Sequence, residues 1–190
     1  MAPGPPGPAA APAAAPEAVA RRAAALMKLT GPDVTSPRAA GKCVVGIPMW
    51  MRANPSPSPF GPPSASATVG SVTVTATAKV SQVVWAMGDG PTVTWYGPGT
   101  PCTPDQGQSM SPDCGHRHQC AAFDEPDGHY RGTATATWSM AWTAPAPAPA
   151  FGDEGEFTEP RATGWTARIG ELRSSTPTDP GAVSPTHRRR

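Results

Sequence analysis

Two cysteines and two histidines alternate along one short segment, and they are the side chains of this chain best suited to chemistry. The segment reads Cys114-x-His116-x-His118-x-Cys120. Residues two positions apart on a β-strand point to the same face, so these side chains would share one face. Thiolates and imidazoles are ligands that zinc prefers, but positions about 6.6 Å apart along a straight strand cannot all reach one ion. The spacing leaves three alternatives open: a metal site completed by Cys102 or Cys43, at least one disulfide, or free thiols.

A carboxylate lies in the middle of a predicted turn in the segment Val80–Thr94, which reads VSQVVWAMGDGPTVT. An apolar run is followed by Gly88-Asp89-Gly90 and then by a second alternating run. Asp-Gly supplies the positive φ of a primed hairpin turn, so the pattern predicts two strands joined by a two-residue turn. In such a turn an aspartate accepts hydrogen bonds from nearby backbone amides. We therefore expect Gly88, Asp89 and Gly90 to have a structural role.

Other motifs that would indicate catalysis are missing from the sequence. A P-loop requires GxxxxGK[ST], whereas Gly41-Lys42 is followed by Cys43. The GxSxG motif of many hydrolases does not occur. The acidic residues between 124 and 127 do not follow the EF-hand pattern and are predicted to form a solvated turn. The sequence therefore predicts a protein without enzymatic activity, with no catalytic residue and no cofactor.

The charge and hydropathy of the chain limit its partners. Its formal net charge is +1, and basic residues cluster only at Arg188–Arg190, so no nucleic-acid-binding face is predicted. The sequence contains no run of about twenty apolar residues, which is the length that a membrane-spanning helix needs. If the chain begins at Met1, the Pro/Ala-rich start lacks the features of a signal peptide and predicts a cytoplasmic protein.

Low-complexity segments divide the chain. Residues 1–40 are predicted to be a linker with a short helix at 17–29, because proline, alanine and glycine dominate its first part. Residues 174–190 are predicted to be a disordered tail. The folded domain is expected at 41–173, interrupted by a Pro/Ala spacer at 144–150.

The predicted domain has a clear β pattern. Val72–Val80 alternates without error between apolar residues and threonine or lysine. In Thr133–Trp142 one face carries Ala134, Ala136, Trp138, Met140 and Trp142, and the other carries Thr133, Thr135, Thr137 and Ser139. Such strands bury one face, so Trp138 and Trp142 are expected in the core. Trp165, flanked by turn residues, is expected to be exposed. Seven or eight short strands with frequent turns predict an all-β domain built as a β-sandwich.

Several motifs resemble a known family. VWAMGDGPTVT (Val84–Thr94) resembles the hairpin of the PKD-type immunoglobulin-like module, whose mark is aromatic-x-x-Gly-Asp-Gly. More closely, roughly residues 18–173 are similar to a group of actinobacterial exported proteins, which are often labelled PKD-containing or ATP/GTP-binding. The shared motifs are VGIPMW (Val45–Trp50), TVTATAKV (Thr73–Val80), MGDG (Met87–Gly90), GPGTP (Gly97–Pro101), SPDCGHRH (Ser111–His118) and ARIGEL (Ala167–Leu172).

The resemblance carries implications for fold, location and function. It implies an immunoglobulin-like sandwich outside the cell or on its surface, acting without catalysis in surface presentation, adhesion or binding of a protein or carbohydrate. A cysteine usual after the turn is Trp95 here, and Cys102 is expected to replace it in a disulfide with Cys114. That bridge would close a loop of eleven residues and stabilise the fold by about 2–4 kcal/mol. Zinc binding by Cys114, His116, His118 and Cys120 is the alternative function, and nucleotide binding without a P-loop is a weaker one.

Overall fold

The computed structural model describes residues 14–38, 41–54, 63–106, 108–145 and 152–172. Strands make up 49% of these residues. The elements in chain order are α1 (Pro16–Leu26), β1 (Val34–Ser36), β2 (Lys42–Val44), β3 (Met49–Trp50), β4 (Arg52–Ala53), β5 (Ser64–Val69), β6 (Val72–Ala86), β7 (Thr92–Trp95), β8 (Gly115–His116), β9 (Tyr130–Ala144) and β10 (Asp153–Gly170). The fold is therefore mostly β, as predicted; the immunoglobulin-like sandwich stays a prediction.

One six-stranded sheet forms the body of the domain. Its order is β2-β10-β9-β6-β5, and β7 pairs with the last residues of β6. All pairs are antiparallel except β2 with β10. Two short antiparallel ladders, β1 with β4 and β3 with β8, lie outside this sheet. The β3–β8 ladder fixes the position of His116.

The alternation of the long strands is confirmed. In β6 the residues Val74, Ala76 and Ala78 are fully buried, and in β9 every second residue from Ala134 to Trp142 is buried. The intervening threonines of β6 face solvent. One face of the sheet therefore carries the core, as the period of two predicts.

The helix predicted near the N-terminus forms and packs on the sheet. Pro16 occupies its first position, where proline has no hydrogen bond to lose. Its buried residues Val19, Ala20, Ala23 and Ala24 join the core cluster. Small side chains on the helix and on β6 allow the two backbones to approach closely. The helix thus belongs to the folded unit, and the prediction of a linker over residues 1–40 is corrected for α1 and β1.

Two tryptophans cover glycines across the sheet. Gly132 pairs with Trp165 and Gly155 with Trp142, and a Cβ on Gly155 would lie 2.7 Å from the indole of Trp142. Covering a strand glycine in this way buries the ring and stabilises the sheet. Trp165 is consequently only 6% exposed, so the prediction that it is exposed is wrong.

Some predicted segments lie outside the described residues. They are residues 1–13 of the predicted linker, residues 146–150 of the Pro/Ala spacer and the tail at 174–190 with its arginines. Within the described part of the chain, no helix has the length and apolar character needed to cross a membrane.

Candidate functional site

The hairpin between β6 and β7 forms, but its turn is longer than predicted. Residues 87–91 connect the strands, and the Met87 amide donates to the carbonyl of Pro91 over 3.1 Å. Positive φ occurs at Gly88 (85°) and Gly90 (105°) and not at Asp89. The prediction of a two-residue turn is therefore wrong. The two glycines bend the chain so that Asp89 projects from the apex.

The segment from Cys114 to Cys120 is not a continuous strand. Only Gly115–His116 forms a ladder, paired with Met49–Trp50 of β3. The residues after His116 are irregular, so the four candidate ligands do not share one face. Cys114 is buried in the core and Cys120 is exposed. The premise behind the Cys/His zinc ligand set is thus wrong, although the two histidines do come together.

Asp89 is the third member of this group. Its Oδ2 lies 2.7 Å from Nε2 of His116 and 3.9 Å from Nε2 of His118. One ligand atom from each of the three residues lies within 4.8 Å of the others. Asp89 therefore contacts imidazoles, and no hydrogen bond from a backbone amide to its carboxylate is present among the described residues. We name Asp89, His116 and His118 the Asp-His-His cluster.

Aromatic packing and backbone contacts hold the rings in place. The His118 ring lies 4.6 Å from the ring of Tyr130, and the His116 ring meets that of His118 edge-on, also at 4.6 Å. Nε2 of His118 lies 3.3 Å from the Met87 carbonyl oxygen. The carbonyl of His118 accepts a hydrogen bond from the Gly46 amide at 3.0 Å. The cluster is therefore fixed by both the hairpin and the segment around β3.

Burial sets the charge state of the innermost groups. Desolvation lowers the pKa of His118, and His116 adds to this effect, while Asp89 and the Met87 carbonyl oppose it. His118 is only 1% exposed. Oδ1 of Asp89 is buried and has no hydrogen-bond partner in the described part of the protein. In the cluster, the protonated form of His118 is therefore disfavoured, and Oδ1 of Asp89 lacks a hydrogen-bond partner among the described residues.

A cavity of about 440 Å³ opens beside the cluster. Asp89 and His116 form part of its wall, and His118 lies behind them. The lining residues are Asp89, Pro91, His116, Arg117, Gln119, Cys120, Glu125 and Tyr130. The Tyr130 hydroxyl donates to the Cys120 carbonyl over 3.4 Å, which is long for such a bond.

The cysteines contribute little to this site. All four are unpaired in the structure, so the disulfide between Cys102 and Cys114 is not present and stays a prediction. Burial, with a contribution from Asp113, raises the pKa of the Cys114 thiol to about 12. Cys43 is half-buried and lines a separate cavity of about 280 Å³. No cysteine of the described residues belongs to the group of converging ligand atoms.

Comparisons with family models, with curated proteins and with solved structures gave no match. The interpretation of the site therefore depends on its geometry.

Proposed function

We propose that this protein binds a divalent transition metal, with zinc as the preferred ion, through Asp89, His116 and His118. The observation that carries the proposal is the convergence of two imidazoles and one carboxylate from segments far apart in the chain. Zinc takes nitrogen from histidine and oxygen from aspartate, and these ligands also suit Co²⁺ and Fe²⁺. The Cys/His set that the sequence leaves open as an alternative is replaced by an Asp-His-His set.

The unpaired carboxylate oxygen supports this proposal. A buried polar atom without a partner costs about 1–3 kcal/mol. Oδ1 of Asp89 is such an atom, and a cation bound at the carboxylate would remove this cost.

The protonation of His118 supports metal binding as well. Histidine coordinates a metal as the neutral imidazole, and the lowered pKa of His118 favours this form. Nε2 of His118 faces both Asp89 Oδ2, at 3.9 Å, and the Met87 carbonyl oxygen, at 3.3 Å, so a metal bound at Nε2 would replace the contact with the carbonyl.

Metal titration of the purified, chelator-treated protein tests the proposal. We expect one equivalent of Zn²⁺ or Co²⁺ to bind, and the variants Asp89→Ala, His116→Ala and His118→Ala each to lose at least about tenfold in affinity. His129→Ala is the matched control, since His129 lies outside the cluster and contacts the Asp127 carbonyl. This variant should bind metal as the wild type does.

Two results would contradict the proposal. One is the absence of stoichiometric binding at pH 7. The other is metal binding that survives in all three cluster variants and is lost when Cys114 and Cys120 are replaced. That result would show that the cysteine thiolates bind the metal.

We also propose that the domain is an exported, non-catalytic module of the PKD type. The supporting observation is the hairpin of the aromatic-x-x-Gly-Asp-Gly motif, in which Trp85 is buried and Gly88-Asp89-Gly90 forms the connection. A metal at the turn of this hairpin would fasten it to the segment around His116. Protease treatment of intact cells that express the protein from its own locus tests its location. Full protection of the protein, with release only on lysis, would contradict export.

A further inference from the structure

The cavity beside the cluster leaves one side of the proposed metal accessible, and this inference rests on the metal binding proposed above. Zinc in a protein is usually four-coordinate, and sites with three protein ligands keep a position for water or a ligand. Asp89 and His116 line the cavity, while His118 is buried behind them. An open coordination position of a metal bound here would therefore face the cavity.

The charges around the cavity change sign when a metal binds. Asp89 and Glu125 contribute carboxylates to its wall, and Arg117 contributes a guanidinium. With neutral imidazoles, the formal charge of these groups is negative without metal and positive once a divalent cation is present. A monoanion is favoured only in the second state.

Two donors in the wall suit a carboxylate. The guanidinium of Arg117 forms no ion pair in the described part of the chain, and its planar fork matches a carboxylate in two-point contact. Among the described residues, the Tyr130 hydroxyl makes a single hydrogen bond, its long contact with the Cys120 carbonyl, so its hydrogen can be redirected to a ligand. The volume of about 440 Å³ lies within the range of small-molecule sites.

We propose that this cavity binds a small carboxylate-bearing molecule, whose carboxylate occupies the open position of the metal and contacts Arg117. The metal supplies the main attraction. Arg117 and Tyr130 orient the ligand, and the rest of the cavity accommodates its organic part.

The experiment uses the full chain loaded with Co²⁺, whose visible absorption reports on its ligands. Acetate and benzoate are titrated, with phosphate as the comparison anion. We expect a saturable spectral change with both carboxylates and a weaker one with phosphate over the same range. The metal-free protein should bind neither carboxylate in calorimetry.

Variants identify the cavity as the binding site. Arg117→Gln should still bind cobalt, at least as tightly as the wild type since a nearby positive charge is removed, and should weaken benzoate binding at least about tenfold because it loses a charge-assisted hydrogen bond. Tyr130→Phe keeps the ring against His118 and should weaken benzoate binding as well. Arg168→Gln is the control, since Arg168 lines a different cavity.

The outcomes separate this inference from the metal proposal. If cobalt does not bind, the proposed function fails and this inference fails with it. If cobalt binds and its spectrum ignores both carboxylates, or responds equally in Arg117→Gln, the carboxylate site alone is overturned. A stronger response to phosphate than to benzoate overturns the ligand class.

Discussion

Replacing Gly88 by alanine should destabilise the protein by more than the cost of the left-handed backbone conformation alone. Gly88 has a φ of 85°, in the left-handed region that side chains with a Cβ rarely adopt. A Cβ at this position would lie 2.6 Å from the carbonyl oxygen of Arg131 and 3.2 Å from its amide nitrogen. Arg131 cannot easily move aside, because it lies in β9 and pairs with Thr166 of β10.

The expected magnitude has two parts. The left-handed conformation costs an alanine about 1–2 kcal/mol. Forcing a methyl group into a filled space costs about 1–3 kcal/mol more. Gly88→Ala should therefore lower the free energy of unfolding by about 2–5 kcal/mol. Gly70→Ala is the matched control: its φ is 63°, but nothing lies within 4 Å of its Cβ, so only the first part applies.

Urea unfolding followed by tryptophan fluorescence measures both variants. An unchanged slope of the unfolding free energy against urea concentration would show that the replacement changed stability and not the surface exposed on unfolding. Because Gly88 precedes Asp89, its replacement should also weaken metal binding, while Gly70→Ala should not. If the two variants differ by less than about 1 kcal/mol, the close approach of the hairpin to β9 is refuted.

Two further predictions follow from burial and pKa. In the reduced native protein, thiol reagents at pH 8 should label Cys102 and Cys120 quickly and Cys114 only after unfolding, because burial raises the pKa of Cys114 to about 12. Peptide mass spectrometry measures the labelling of each cysteine. Fast labelling of Cys114 would contradict the prediction. The pKa of His118 is lower in the folded protein than its unfolded value of 6.5, so the unfolded chain binds more protons in acid. The free energy of unfolding of the metal-free protein should be highest above pH 6.5 and should decrease as the pH falls below that value. Urea unfolding between pH 7.5 and 5 measures this, and a flat profile in the metal-free protein would contradict it.

The strands could be predicted because their signals are local. Apolar and polar residues alternate along Val72–Val80 and through most of Thr133–Trp142. This pattern alone indicates which side chains face the core. The burial of Trp165 could not be predicted in this way. It depends on Gly132, which lies in another strand and leaves space for the ring.

The site was harder to predict because its members meet through tertiary contacts. Asp89 and His116 are 27 positions apart, and nothing near Asp89 indicates a histidine partner. The local sequence patterns predict that the carboxylate of Asp89 contacts backbone amides and that residues 114–120 form one strand. The ladder ends at His116, whose partner Met49 follows Pro48 in the chain, and a proline has no amide hydrogen for a further ladder bond. His118 lies instead against the hairpin, next to the Met87 carbonyl, and no local pattern in the sequence indicates this position.

His118 is held by contacts that stabilise the metal-free protein only weakly, which leads to a last prediction. Its ring stacks on Tyr130, but its bond to the Met87 carbonyl is 3.3 Å long, at the weak end for N–H···O geometry. A buried imidazole with such contacts recovers little of its desolvation cost. His118→Phe keeps a flat ring in this stack and removes the cost. The metal-free variant should stay within about 1 kcal/mol of the wild type at pH 7, and it should be the more stable protein at pH 5. Metal binding should be lost. A loss of more than about 3 kcal/mol at pH 7 would show instead that His118 is required for folding, and that the cluster is a packing feature of the hairpin.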